Sequence, residues 1–137
     1  MTTPDEAREF LRTNFRAILV TRRRDDGLQT SPVAATVDAE GRVIISTRDT
    51  AMKAKNLARD PRAALAVITD GWWGPHIQVE GNAEIVGRPD AIDLLVDYYR
   101  RISGEHPNWD EYRQAMEDER RVVIRFDIER AGPTVSG

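Results

Sequence analysis

The spacing of apolar and polar residues along this chain changes several times, and each change marks an element. Thr3-Pro4-Asp5-Glu6 offers a capping hydroxyl, a proline at the first helical position and acids in the first turn. Ala7, Phe10 and Leu11 follow at helical spacing, which predicts a short helix over 4–13. Residues 15–22 carry Ile18, Leu19, Val20 and Thr21, and Asp26-Gly27 is a hairpin turn into a second strand over 29–37. Pro32 removes a backbone donor from that strand, which places it at an edge, a bulge or a ligand-facing position. Asp38-Ala39-Glu40-Gly41 turns the chain into a third strand over 42–47, and the three make a β-meander.

Helical character returns over 49–59, with Asp49 or Thr50 as cap, Met52 and Leu57 as apolar contacts and Asp60-Pro61 as the stop. Residues 62–69 read as a strand apolar on both faces, 70–75 as a turn holding Trp72 and Trp73, and 76–86 as one long alternating strand. Pro89 opens a helix to about Ile102, Ser103-Gly104 ends it, Asn108 caps another over 109–119, and 121–128 is a final strand before a frayed end. Strands outnumber helices and the first three are joined by tight turns. The pattern therefore predicts one domain over 1–137, mainly β with peripheral helices, whose antiparallel sheet closes into a barrel and so removes its edges.

Composition narrows the partners. In 137 residues, 40% are apolar, enough for one core, and the 31% that are charged leave a net charge of only -3. That balance predicts neither a nucleic-acid nor a membrane partner. No apolar run approaches the roughly 20 residues of a membrane span, and residues 1–9 lack the apolar stretch of a secretion signal. With no cysteine, disulfides, thiolate catalysis and cysteine-based metal sites are excluded, and a cytoplasmic location is expected.

The usual catalytic arrangements are missing: no phosphate-binding glycine loop, no nucleophile elbow, no paired-histidine metal motif, and only His76 and His106 as histidines. No metal site is expected. Chemistry, if any, is then carried by a bound cofactor. Of the 20 basic residues only Lys53 and Lys55 are lysines, and both fall in Ser46–Arg62. There Ser46 and Thr47 end a strand, and a helix with Lys53, Lys55 and Asn56 in its first turns follows. Hydroxyls, helical N–H groups and positive charge together outline an anion site; the alternative is an ordinary solvated basic helix.

Lys53-x-x-Asn56-Leu57-x-x-Asp60-Pro61-Arg62, a buried strand, and then Gln78-Val79-Glu80-Gly81-x-Ala83-Glu84 resemble the pyridoxamine 5'-phosphate oxidase-like split β-barrels. Tyr99-Arg100-x-Ile102-x-Gly104-Glu105-His106-x-x-Trp109-Asp110-x-Tyr112-Arg113-Gln114-Ala115-Met116 is similar to an actinobacterial group of that superfamily that binds the deazaflavin coenzyme F420. The resemblance runs from about Phe10 to Ile128. It implies a homodimeric split barrel that binds F420, or alternatively FMN, at the subunit boundary. It also implies that Ser46, Thr47, Lys53, Lys55 and Asn56 hold the cofactor's phosphate-bearing tail. The second strand (Thr30, Ser31, Pro32, Val33) and the start of the fifth (Trp73, Pro75, His76, Ile77, Gln78) would line the ring. The sequence departs from the FMN oxidases at Glu80, where many have arginine, and in an end, Gly132-Pro133-Thr134-Val135-Ser136-Gly137, without their arginine-tryptophan segment. Oxidation of vitamin B6 is not expected.

The expected activity is hydride transfer from reduced F420 to an activated C=C or C=N bond of a small planar substrate. An FMN oxidase or reductase and a non-catalytic flavin- or haem-related binding module are the alternatives. No catalytic side chain is required, and His76 is either a proton donor or structural. Trp72 and Trp73 read as core or dimer interface, or as a cofactor wall. Tyr98, Tyr99 and Trp109 read as packing. Arg120 and Arg121 are either solvated or reach a polyglutamate tail from a neighbouring subunit.

Overall fold

A computed structural model describes residues 2–132; the expectations for residues 133–137 lie outside them. Thr3 caps α1 (Pro4–Leu11) as its sequence predicts, its hydroxyl accepting from the Glu6 N–H at 3.1 Å. β1 (Arg16–Arg22) and β2 (Leu28–Val37) form a hairpin whose turn needs Asp26 at φ 69°. β3 (Val43–Arg48) follows a turn organised by the Asp38 carboxylate, which accepts from the N–H groups of Glu40 and Arg42. The remaining elements are α2 (Met52–Arg59), β4 (Arg62–Ile68), β5 (His76–Asn82), β6 (Glu84–Val86), α3 (Ala91–Ser103), α4 (Trp109–Asp118), β7 (Arg121–Phe126) and β8 (Arg130–Ala131).

All eight strands form one antiparallel sheet in the order β6-β7-β3-β2-β1-β4-β5-β8, curled into a split barrel. The long strand expected over 76–86 is two strands, because the chain breaks at Ala83, whose N–H turns to the Pro61 carbonyl. β5 pairs β4 whereas β6 pairs β7, so this break is how one stretch of chain joins the two ends of the sheet. The final strand likewise ends at Phe126, and β8 returns to pair β5.

Strand alternation sorts the side chains. Leu19, Val37, Val43, Ile45, Leu65, Val67, Ile77, Val79, Ile124 and Phe126 fill the interior, closed by Ala7 and Leu11 of α1 and Leu57 of α2. On the outer face, α3 and α4 cover Ile44 and Val123 with Leu95, Val96, Tyr112 and Met116. The outer sides of β1 and β4 carry Ile18, Val20, Ala64, Ala66 and Ile68, half-buried and in neither cluster. An outward row of that chemistry on a central strand pair is unusual for a solvated face.

The stop after α2 is an electrostatic clasp. Asp60 accepts from Arg62 through Nη2 at 2.7 Å and Nε at 3.0 Å, and from the Arg62 N–H. These bonds lower its pKa from 3.8 to about 2. A carboxylate held lower in the folded than in the unfolded chain stabilises the fold above its ordinary pKa, and that contribution disappears as pH falls through about 2. An NMR titration should accordingly show Asp60 ionising near 2, and Arg62→Gln should return it toward 3.8.

Candidate functional site

β2 is paired unevenly. Residues 28–34 pair with β1, whereas only Ala35–Val37 pair with β3. The Ala35 N–H bonds the Phe15 carbonyl on the β1 side, so by alternation the backbone groups of Thr30, Pro32 and Ala34 face the open side. Pro32 thus sits where its missing N–H leaves no ladder bond unmade, as the sequence required. The Tyr98 hydroxyl of α3 reaches the fork: it donates to the Ala34 carbonyl at 2.8 Å and meets the Ser46 backbone. Burial raises its pKa, so it remains a donor. Sequence spacing shows Tyr98 only as a packing residue, because helical period reveals the side a ring faces and not what its hydroxyl reaches.

The strand after the fork ends at Arg48, and Asp49 then locks the corner. Its carboxylate takes Arg88 Nη2 at 3.1 Å and Arg120 Nε at 3.2 Å on Oδ2. Oδ1, 3.1 Å from the same Arg120 Nε but off the N–H direction, receives charge without a hydrogen bond. Glu119 similarly holds Arg121 at 3.0 Å and Arg48 at 3.5 Å. Arg120 and Arg121 are therefore both engaged in ion pairs within the chain. With Asp49 so occupied, neither it nor Thr50 caps α2: the cap is Ala51, with no side-chain acceptor and no acid in the first turn.

That uncapped N-terminus carries Lys53. At about 100° per residue, Lys53 shares its helix face with Asn56 and Leu57, at i+3 and i+4, which are buried. Lys53 is half-buried on the barrel side of the helix and, among the described residues, has no carboxylate partner. Lys55, on the other side of the helix, is exposed, whereas Lys53 is not.

The residues expected to hold a cofactor separate into two sets. Thr30, Pro32, Ser46, His76 and Gln78 face outward, with Trp73 and Pro75 exposed in the loop before β5. Ser31, Val33, Thr47 and Ile77 face inward; Ile77 is wholly within the core and Val33 packs against it. Asn56 is fully buried, donating to Thr21 Oγ1 at 3.2 Å and Gln29 Oε1 at 2.9 Å. The inward set can offer a bound group little beyond backbone. Within the outward set, Pro32, Ile18, Ala66 and Gln78 lie in one row across four strands. Pro32 and Gln78 are thus three strand spacings, about 14 Å, apart.

Trp72 and Trp73 are 65% and 83% exposed, which removes the core reading for both. The stretch that resembles the F420-binding group folds on itself: Tyr99, His106, Trp109 and Tyr112 pack ring to ring, and Glu105 bonds both Arg100 and the Trp109 indole N–H. His106 is thereby part of the packing that joins α3 to α4. Two concavities, of about 310 and 340 Å³, lie elsewhere, and neither is lined by Pro32, Ser46 or Lys53. Among the described residues no helix is long and apolar enough to cross a membrane.

Residues 3–134 match the sequence model described as pyridoxamine 5'-phosphate oxidase. Among solved structures, a conserved hypothetical protein from Mycobacterium tuberculosis superposes with a TM-score of 0.77 at 24% identity, over 96% of this chain and 83% of that one. A protein described as an F420 reductase gives 0.70 at 20% identity, over 90% and 94%. A haem-binding protein from Mycobacterium smegmatis gives 0.68 at 20% identity, over 96% and 53%. At these identities the likeness shows a shared fold.

Proposed function

Because the chain belongs to the pyridoxamine 5'-phosphate oxidase family of split barrels, we propose that it is a coenzyme F420-dependent reductase acting on an activated C=C or C=N bond of a small planar substrate. The observation that carries this reading is Lys53: a half-buried cation without a carboxylate partner, on the barrel side of an uncapped helix. Such a corner fits the phosphate-bearing tail of a flavin-like cofactor. Lys53 supplies a point charge, the first-turn N–H groups of α2 supply donors, and Ser46 adds a hydroxyl from the outward face. Thr30 and Pro32, exposed on the outward face of β2, would line the ring. When bound, F420 supplies the hydride, and a proton from water completes the reduction, so the chain needs no acid of its own.

The preference for F420 over FMN rests on the Tyr99–Met116 stretch and on Glu80, and it is supported by the fold shared with a protein described as an F420 reductase. The test is titration of the purified protein with oxidised and reduced F420 beside FMN. Tighter binding of F420, with turnover of a C=C or C=N acceptor, is the expected result. Tighter FMN binding makes the protein a flavoenzyme, and tight F420 binding without turnover of any acceptor makes it a binding module.

The proposal includes a homodimer. A ring resting on Pro32 lies about 14 Å along the sheet from Gln78 of its own chain, so a second subunit supplies the other wall. A second copy seated on the apolar outer face of Ile18, Ala66 and Ile68 covers those residues and would supply that wall from its own β5. Light scattering should give twice the 15.5 kDa chain mass. Ala66→Arg, which places a charge on that face, should give a folded monomer with cofactor affinity reduced more than tenfold. A folded Ala66→Arg dimer would place the contact elsewhere.

A further inference from the structure

The side of α2 that carries Met52, Lys55, Asn56 and Arg59 lines one of the concavities, about 340 Å³ between the helix and the β1–β2 hairpin. Its walls bring Arg23, Arg24, Lys55 and Arg59 against one acid, Asp25, in a chain whose net charge is -3. Asp25 is already committed. It accepts from Arg23 Nε at 3.1 Å and from the Gly27 N–H at 3.0 Å, bonds that hold its carboxyl below the ordinary range. Among the described residues Arg24, Lys55 and Arg59 pair with no carboxylate.

Arg59 is aimed. Its Nη2 donates to the Arg22 carbonyl and its Nη1 to Asn56 Oδ1 at 3.5 Å, while Asn56 is held in turn by Thr21 and Gln29. A guanidinium has five N–H donors in a rigid fork, and these two bonds use two of them. Arg24 and Lys55 add charge on flexible stems, and the half-exposed Met52 gives one wall an apolar surface. The volume falls at the small end of small-molecule sites, roughly 300–1,000 Å³.

We propose that this groove is a second anion site, separate from the cofactor's, and that it takes a phosphate-bearing small molecule with at least two negative charges. A single carboxylate would leave most of the convergent charge uncompensated, whereas a diphosphate meets both the fork and the flanking cations.

Inorganic pyrophosphate is the probe, titrated calorimetrically into the full chain. In Lys53→Gln, which lacks the cofactor's lysine, one equivalent should still bind, and adding Arg24→Gln and Lys55→Gln should weaken it at least tenfold. Equal binding with and without that pair, or no binding in Lys53→Gln alone, overturns the site. The Arg24→Gln/Lys55→Gln protein with Lys53 intact should bind F420 and FMN like the unsubstituted chain. A parallel loss would make the groove an extension of the cofactor site and overturn its separateness. Failure of the reductase proposal, seen as no cofactor binding at all, leaves the pyrophosphate result to be read by itself.

Discussion

Lys53→Ala should weaken F420 binding ten- to a hundredfold and leave the melting temperature nearly unchanged. Charge-assisted hydrogen bonds contribute about 1.5–3 kcal/mol, and each 1.4 kcal/mol is a factor of ten. The fold loses little, because among the described residues Lys53 makes no ion pair that folding depends on. Lys55→Ala, two residues away on the exposed side of the same helix, should leave the affinity as it was. The contrast separates a directed contact from a general attraction between a basic helix and an anion, which would weaken equally with either lysine. Fluorescence titrations at low and moderate salt check both points, since a partly buried contact is screened less than a surface one. Equal affinities for Lys53→Ala and the unsubstituted protein would remove the observation on which the proposed function rests.

The residues that made the family legible in the sequence turn out mainly to build the frame around the site. Asn56 joins α2 to the β1–β2 hairpin through Thr21 and Gln29, Asp60 and Arg62 clasp the chain after α2, and Tyr99, Trp109 and Tyr112 lock α3 to α4. Period and capping placed most elements because those signals are local: Thr3 and Asn108 cap helices as expected. The break at Ala83 leaves no mark in the sequence because the pattern across it is unbroken; what divides β5 from β6 is a choice of partners on opposite ends of the sheet. The site was legible only in part for a related reason. Expectations taken as consecutive residues, Thr30 to Val33 or Pro75 to Gln78, ignore that alternate side chains in a strand face opposite ways, so Ser31, Val33 and Ile77 are claimed by the interior. The pairing of β2 with two neighbours over different lengths, which opens the fork, is long-range and leaves no local mark.

Gly81→Ala should be the most destabilising single-methyl change in the chain's closure, and it bears on function through the frame. Gly81 lies on β5 where the curled sheet's two ends meet. A Cβ there would sit 2.2 Å from the Asp127 carbonyl oxygen and 2.7 Å from the Phe126 ring. The nearer obstacle is backbone just beyond β7, with no flexible side chain to swing aside, so relief requires β5 and the β7 end to separate. Overpacking of a core commonly costs about 1–3 kcal/mol, and a backbone clash belongs at the upper end or beyond. For a domain of this size that corresponds to roughly 10 °C or more of melting temperature. The separation would also disturb the Glu129 N–H to Glu80 carbonyl bond and the β5–β8 pairing, which fasten the strand carrying His76 and Gln78. Gly87→Ala is the control, since a Cβ at that position meets nothing within 4 Å. Calorimetric melting should therefore show a large drop for Gly81→Ala and a small change for Gly87→Ala. Comparable melting of the two would mean that the seam between β5 and the end of β7 yields more readily than close backbone contact allows.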